Sequence, residues 1–351
     1  MKYYKCTTEY ACGIDLHTQQ MYICLMDREG NRLIHTNVKG NDFDYFLRRI
    51  EPYRHDLTVC AECCFNWYWL ADACEAAGLK FVLAHALYMK LIHGGKNKND
   101  RIDSEKIAHL LRSNLIPPSY VYPRAKRPLR ALLRQRITYV WRRAELLARL
   151  QMGQMAEGHK PVRQSRKSRD PWEERLMEVY DHPLHQFSAK MDLDTVRHYD
   201  QAIYELEKEL SKRVKAHQYK EFTLLKTVPG IGRILGLTIV LEIDRIDRFP
   251  TVGDFLSFCR LVKGSVSSSG KFKGLKGAKM GNPYLRWAFG EAAIVAKRDP
   301  AFIGPYSQML TARHGKFKGN AILANKLARA TYFMLRNGTA FDPERLVATS
   351  I

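Results

Sequence analysis

No stretch of the 351-residue chain approaches the roughly eighteen consecutive apolar residues that a membrane-crossing helix needs. No basic amphipathic helix with an apolar face and no lipid signal stands out to suggest a membrane-surface role instead, so no membrane partner is expected. The opening stretch, MKYYKCTTEYACGID, lacks the apolar core of a secretory signal, and a cytoplasmic protein is expected. Glycine-rich nucleotide loops are missing too. VPGIG at 228–232 is neither G-x-G-x-x-G nor G-K-[ST], and LHTQQ follows the first Gly-x-Asp where a sugar-kinase or actin-like ATPase would carry a Gly/Thr-rich loop. Zinc-finger spacing is absent: Cys60-x-x-Cys63 has no second C-x-x-C and no H-x-x-x-H at the right distance. The eight cysteines, seven of them within the first 74 residues, are expected to be reduced, buried filler. Acids are scarce relative to bases. Lys and Arg number 57 against 36 Asp and Glu, a net charge of +21, and a balance that basic points to nucleic acid as the partner.

Within those limits the chain has a clear order. Apolar, partly alternating stretches at ACGID, MYICLMD and NRLIHTNV predict three strands, with a turn at Glu29-Gly30-Asn31. A helix follows, capped by Asn41 or Asp42 and stopped by Pro52. DLTVCAE predicts a strand ending at Glu62, NWYWLADACEAAG a helix closed by Gly78, LKFVLAH a strand, and KNDRIDSEKIAHLLRSN a helix starting near Asp100. This is a mixed α/β domain over 8–120. Pro117-Pro118 marks its end, and two long helical patterns within 121–218 predict an antiparallel hairpin or coiled coil, joined through the polar, basic segment 158–171, expected to be a mobile loop. A mostly helical region over 219–346 opens with Pro229-Gly230-Ile231-Gly232 between apolar helices. That is a helix-hairpin-helix pattern, in which Gly230 and Gly232 let backbone N–H groups reach a phosphate.

The carboxylates invite a chemical reading. Asp15 ends the first strand, Glu62 ends the fourth, and Asp100 and Asp103 are three apart, so one helix face presents both. Each has an ordinary explanation alone: a turn cap, a partner for a lysine, a helix N-cap. Together they match the oxygen-rich sites in which divalent ions assist phosphoryl chemistry.

The series GID15, AE62 and KNKND100RID103SEKIA, with VPGIG and SSSGKFKGLKGAKMGNPYLRWAF in the same order, resembles the DEDD transposases of the bacterial insertion-sequence one-ten group and the Piv-type invertases. The resemblance covers most of the chain. It implies a RuvC-like, ribonuclease-H-like first domain in which Asp15, Glu62, Asp100 and Asp103 bind Mg²⁺ (or Mn²⁺), and a carboxy-terminal transposase domain whose serine attacks the scissile phosphate. The family's Ser-Gly pattern selects Ser269, beside Gly270, with Ser268 and Ser267 as alternatives. It implies as partners target and donor DNA, a structured non-coding guide RNA (a bridge or seek RNA) and further copies of the chain, as a dimer or tetramer, with nucleoid association when active. Lys271, Lys273, Lys276, Lys279 and Arg286 follow the serine as candidate phosphate contacts, and Arg134, Arg142 and Arg143, interleaved with Tyr139 and Trp141, as candidate contacts to nucleic acid. The alternative function is a RuvC-like, structure-specific DNA nuclease using water, which leaves the Ser-Gly segment without purpose.

Overall fold

The computed structural model describes residues 2–92, 99–165, 170–214, 219–262, 264–269, 271–276 and 280–348, with the side chains at 91, 214, 265–268, 271–276, 347 and 348 outside that description. The chain divides into two compact units, Met1–Ala125 and Lys126–Ile351.

The first unit is built on a five-stranded mixed sheet. β1 (Tyr10–Leu16), β2 (Gln20–Met26) and β3 (Arg32–Lys39) form an antiparallel meander, while β4 (Leu57–Glu62) and β5 (Lys80–Ala84) run parallel to β1, in the order β3-β2-β1-β4-β5. The helices are α1 (Phe43–Ile50), α2 (Trp67–Ala76), α3 (Ala86–Ile92) and α4 (Asp100–Arg112). Successive strand residues face opposite ways, and both faces are covered. On one, Cys12, Ile14 and Leu16 pack with Phe46, Ile50, Leu70 and Cys74 of α1 and α2. On the other, Ala11, Cys60 and Val82 pack with Ile107, Leu110 and Leu111 of α4. By this alternation Gly13, Asp15 and Glu62 belong to the α4 face.

As expected, α1 stops before Pro52, at Ile50; the backbone then tightens into a 3-10 turn over Glu51–Asp56, where proline at the first turn is tolerated because its missing N–H has no partner to lose. The helix α3 was not foreseen. All eight cysteines are free thiols, and burial pushes those of Cys24 and Cys74 up to about 12, so both are neutral apolar filler.

The second unit is mostly helical. Its long helices α5 (Arg127–Ala156) and α7 (Pro183–Val214) pack antiparallel, laced by Arg136–Glu207, Arg143–Asp200 and Arg149–Asp192, in which one number falls as the other rises. The short α6 (Trp172–Glu178) packs beside them through Trp172 and Leu176. Then come α8 (Tyr219–Leu225), α9 (Arg233–Ile243), α10 (Val252–Phe258), the hairpin β6 (Gly264–Ser268) and β7 (Lys271–Lys276), α11 (Pro283–Ala296), α12 (Ile303–His314), α13 (Lys316–Asn337) and α14 (Pro343–Ala348). Side chains of α9, α11 and α13 supply much of the core. Residues 126–218 and 219–346 both lie in this unit, where Leu129, Leu133 and Ile137 of α5 pack with Leu237 and Leu241 of α9. Among the described residues no helix is long and apolar enough to cross a membrane.

Candidate active site

Gly13 governs the geometry of the acidic corner. A Cβ at this position would lie 2.3 Å from both Ser104 O and Ala108 N, so only glycine lets α4 lie directly on β1. Ser104 and Ala108 are on the buried face of α4, and Asp100 lies one turn before Ser104 on that face. Asp15 lies two residues beyond Gly13 on the same face of β1. The glycine two residues before the aspartate therefore brings a strand-borne and a helix-borne carboxylate together. Asn99 caps α4, its side chain accepting from Ile102 N at 2.8 Å, which leaves the Asp100 carboxylate out of the cap.

Between the two acids stands His17, from the turn joining β1 and β2. Its Nε2 is 3.2 Å from Asp15 Oδ2 and 3.2 Å from Asp100 Oδ1. One donor atom from each of Asp15, His17 and Asp100 lies within 4.8 Å of the others, the one such group among the described residues. The surroundings hold it in shape. Asn41 and Asn66 each donate a hydrogen bond to the His17 carbonyl, at 3.1 and 3.0 Å. Gln20 donates to Asp100 Oδ2 at 3.1 Å and is itself oriented by Asn37, which donates to its Oε1 at 2.9 Å. Burial raises the pKa of Asp15 above the ordinary carboxylate range; His17 opposes that rise, and the negative charges of Asp100 and Asp103 add to it.

The four predicted acids are thus placed unequally. Asp15 and Asp100 converge. Asp103, in the same first turn of α4, holds Lys106 at 3.2 Å and is close enough for its charge to act on Asp15. Glu62 ends β4 one step beyond the Ile14–Ala61 pair, beside Asp15 on the α4 face, but its carboxylate lies outside the converging group. His17 was not singled out from sequence; the signal available was an imidazole two residues after Asp15 in the quoted GIDLHTQQ. Two carboxylates and an imidazole are an oxygen-rich donor set with one borderline nitrogen, which suits Mg²⁺ or Mn²⁺.

In the second unit β6 and β7, on either side of the Ser-Gly segment, form a hairpin. The ladder of β6 and β7 closes at Ser268–Lys271, leaving Ser269 in the turn, exposed, with a left-handed φ of 52°. Serine in that region is uncommon. Positions 267 and 268 lie within β6, so of the three candidates Ser269 alone occupies the turn. Lys271, Lys273 and Lys276 lie on β7, with their side chains outside the description, and Lys279 lies outside the described residues altogether. So does 166–169 of the expected basic loop. Arg286, on the first turns of α11, is exposed, and its charge acts on the nearby Arg260, whose pKa is lowered chiefly by burial.

The described chain before and after the hairpin is tied together. Arg260 Nε donates to Gly281 O at 2.8 Å, and Asn282 N donates to Phe258 O at 2.6 Å. The Asn282 side chain caps α11 by accepting from Tyr284 N and Leu285 N, and donates to Glu242 Oε2 at 2.6 Å. Arg134 completes the cluster with a two-pronged contact to Glu242, 2.7 Å on each oxygen. Glu242, wholly buried in the apolar run of α9, escaped the sequence reading; a lone acid in LTIVLEI was its only signal. Arg134 also lies 4.7 Å over the ring of Tyr284, on which the half-exposed Trp141 stacks. Arg143 is paired with Asp200, and Arg142 is exposed, with Glu145 at 3.1 Å. Gly230 has a left-handed φ of 89°, and a Cβ there would lie 2.3 Å from Ala292 O, so close packing on α11 accounts for this glycine. Gly232 sits in open space at the start of α9.

Comparison with known protein families gives two matches. Residues 12–153 match a DEDD transposase family model of the IS110 type, and residues 222–307 match the transposase IS116/IS110/IS902 family. No curated protein matches the chain. The chain belongs to the IS110 family of transposases, and it is a DNA transposase or recombinase.

Proposed function

We propose that this transposase cuts and rejoins DNA through a covalent bond between Ser269 and the scissile phosphate, assisted by Asp15, Glu62, Asp100 and Asp103 as the ligands of Mg²⁺ or Mn²⁺. The observation that carries the acidic half is the convergence of Asp15, His17 and Asp100. The strand order β3-β2-β1-β4-β5, an antiparallel meander extended by two parallel strands, supports a ribonuclease-H-like reading of the first unit. Bound there, a divalent ion would supply charge to a phosphate oxygen and to the departing oxygen. His17 orients the two carboxylates and adds a nitrogen donor.

Ser269 suits a nucleophile because the turn between β6 and β7 presents it to solvent. In the first step its Oγ bonds to phosphorus, one bridging P–O bond breaks, and the hydroxyl proton of the serine leaves to a base while the departing DNA oxygen takes up a proton. Rejoining reverses this: a DNA hydroxyl attacks the phosphoserine and releases Ser269. Arg286, Arg142 and the lysines of β7 are proposed phosphate contacts, and the Trp141–Tyr284 stack offers an aromatic face. A guide RNA and a homo-oligomer are proposed on the family resemblance, and the net charge of +21 is that of a protein that binds polyanions.

The test is chemical. Protein, co-purifying RNA and DNA bearing the element's junction are incubated with Mg²⁺ and denatured. A DNA–protein adduct mapping to Ser269, lost in Ser269→Ala, is expected. Cleaved ends without any adduct would overturn the serine step in favour of water-based hydrolysis.

A further inference from the structure

Phe317 is 89% exposed, the most exposed of the large hydrophobic residues described. Its position is set by the corner between α12 and α13. Gly315 ends α12 with a φ of 79°, its N–H donating to Thr311 O at 2.8 Å, and α13 begins at the next residue. Gly319 lets the two helices touch: a Cβ there would sit 3.1 Å from Leu310 C and O. Gly319, Leu323 and Leu327, four apart, lie on the buried stripe of α13. Phe317 is two residues from Gly319, about 200° around the helix, so it projects away from the core by construction.

The chain on either side of Phe317 carries one sign of charge. From Pro300 to Phe341 the chain contains no Asp or Glu, while it carries Arg313, Lys316, Lys318, Lys326, Arg329 and Arg336. Arg313, Lys316 and Lys318 are exposed and flank the ring in sequence. An apolar ring held outward on a tight corner among cations is poorly suited to an apolar protein surface and well suited to a polyanion with flat apolar faces.

We propose that Phe317, with Arg313, Lys316 and Lys318, is a stacking point for an unpaired base of a DNA strand. The ring covers one face of the base and the cations hold the phosphates on either side. A base inside a duplex already has both faces covered, and prising a step open costs free energy. Recombination leaves bases unpaired whenever a strand quits its complement, so a recombinase has a use for such a point. The proposal concerns binding and is independent of the acidic corner and of Ser269.

The test is equilibrium binding of the full chain in EDTA, by fluorescence anisotropy, to a mixed-sequence single-stranded oligodeoxynucleotide and to its blunt duplex. Losing one stacked base should weaken single-strand binding of Phe317→Ala by about 5- to 150-fold, with Phe317→Trp within about twofold of the parent. Duplex binding should change less than about threefold, and Lys316→Ala should reduce the salt slope on the single strand by about 0.7. Four results would each overturn the proposal: single-strand binding of Phe317→Ala within about twofold of the parent, equal losses on single strand and duplex, a loss seen with RNA of the same sequence but not with DNA, or a shift of Phe317→Ala to a smaller species in sedimentation, which would make the ring a contact between copies.

Discussion

Two carboxylate clusters in this protein are built on opposite plans. Glu242 is wholly buried, and its compensation is built in: Arg134 grips both oxygens and Asn282 donates to one. Asp15 and Asp100 are partly open, at 16% and 39% side-chain exposure, and between them stands the half-exposed His17. The first cluster is closed and joins α5, α9 and the start of α11. The second keeps its negative charge under-compensated, with burial and neighbouring acids raising the pKa of Asp15. A site left in that condition is ready for a cation from outside. On the function proposed above, the contrast separates a carboxylate that holds the fold together from carboxylates that the fold holds ready for chemistry.

The sharpest way to break the contrast is Arg134→Ala. It strands a buried charge with one amide donor, and a loss of about 3–5 kcal/mol in denaturant unfolding is expected. Gly13→Ala comes next. A methyl driven into the backbone of α4 forces that helix off β1, at about 1–3 kcal/mol, and divalent-ion binding should fall along with stability. Asp15→Asn should act in the other direction, raising the stability of the metal-free protein near neutral pH by about 0.5–2 kcal/mol. The sign follows from linkage. The folded state holds the Asp15 proton to higher pH than the unfolded chain, so the wild type loses stability as pH rises from the ordinary carboxylate value through the raised one. The gap between the Asp15→Asn variant and the wild type in thermal melts should therefore open over that window and close below it. The smallest stability effect belongs to His17→Ala, within about 0.5 kcal/mol for an exposed side chain. Its consequence is at the metal: Mn²⁺ affinity should drop about 10- to 100-fold, and nitrogen modulation in the Mn²⁺ spin echo should disappear.

Much of the first unit was legible because its strands alternate cleanly and its helices carry caps. The Asp15, Glu62, Asp100 and Asp103 positions could be read as strand ends and a helix start, since backbone periodicity places them. What periodicity could not supply was which atoms meet. The reason Gly13 precedes Asp15 is the approach of α4, a contact between segments some ninety residues apart, and no local pattern encodes it. His17 was passed over for the same reason: a turn histidine has no periodicity, and only the convergence of β1 and α4 gives it two carboxylates. In the second unit the glycines of VPGIG read alike in sequence, yet Gly230 packs on α11 while Gly232 is open. Arg134 and Arg143 read as free cations, and the helices that hold their partners Glu242 and Asp200 lie far along the chain. Arginine-rich helices look the same in sequence whether their charge faces acids or solvent.

The most direct test of the account is Mn²⁺ binding to the full-length protein without nucleic acid, followed by electron paramagnetic resonance, in the wild type, Asp15→Asn and Asp100→Asn. The account predicts saturable Mn²⁺ binding in the wild type that either substitution removes while the protein stays folded. Unchanged Mn²⁺ affinity and stoichiometry in both variants would contradict it, and would leave the Asp15–His17–Asp100 corner as a structural hydrogen-bond cluster.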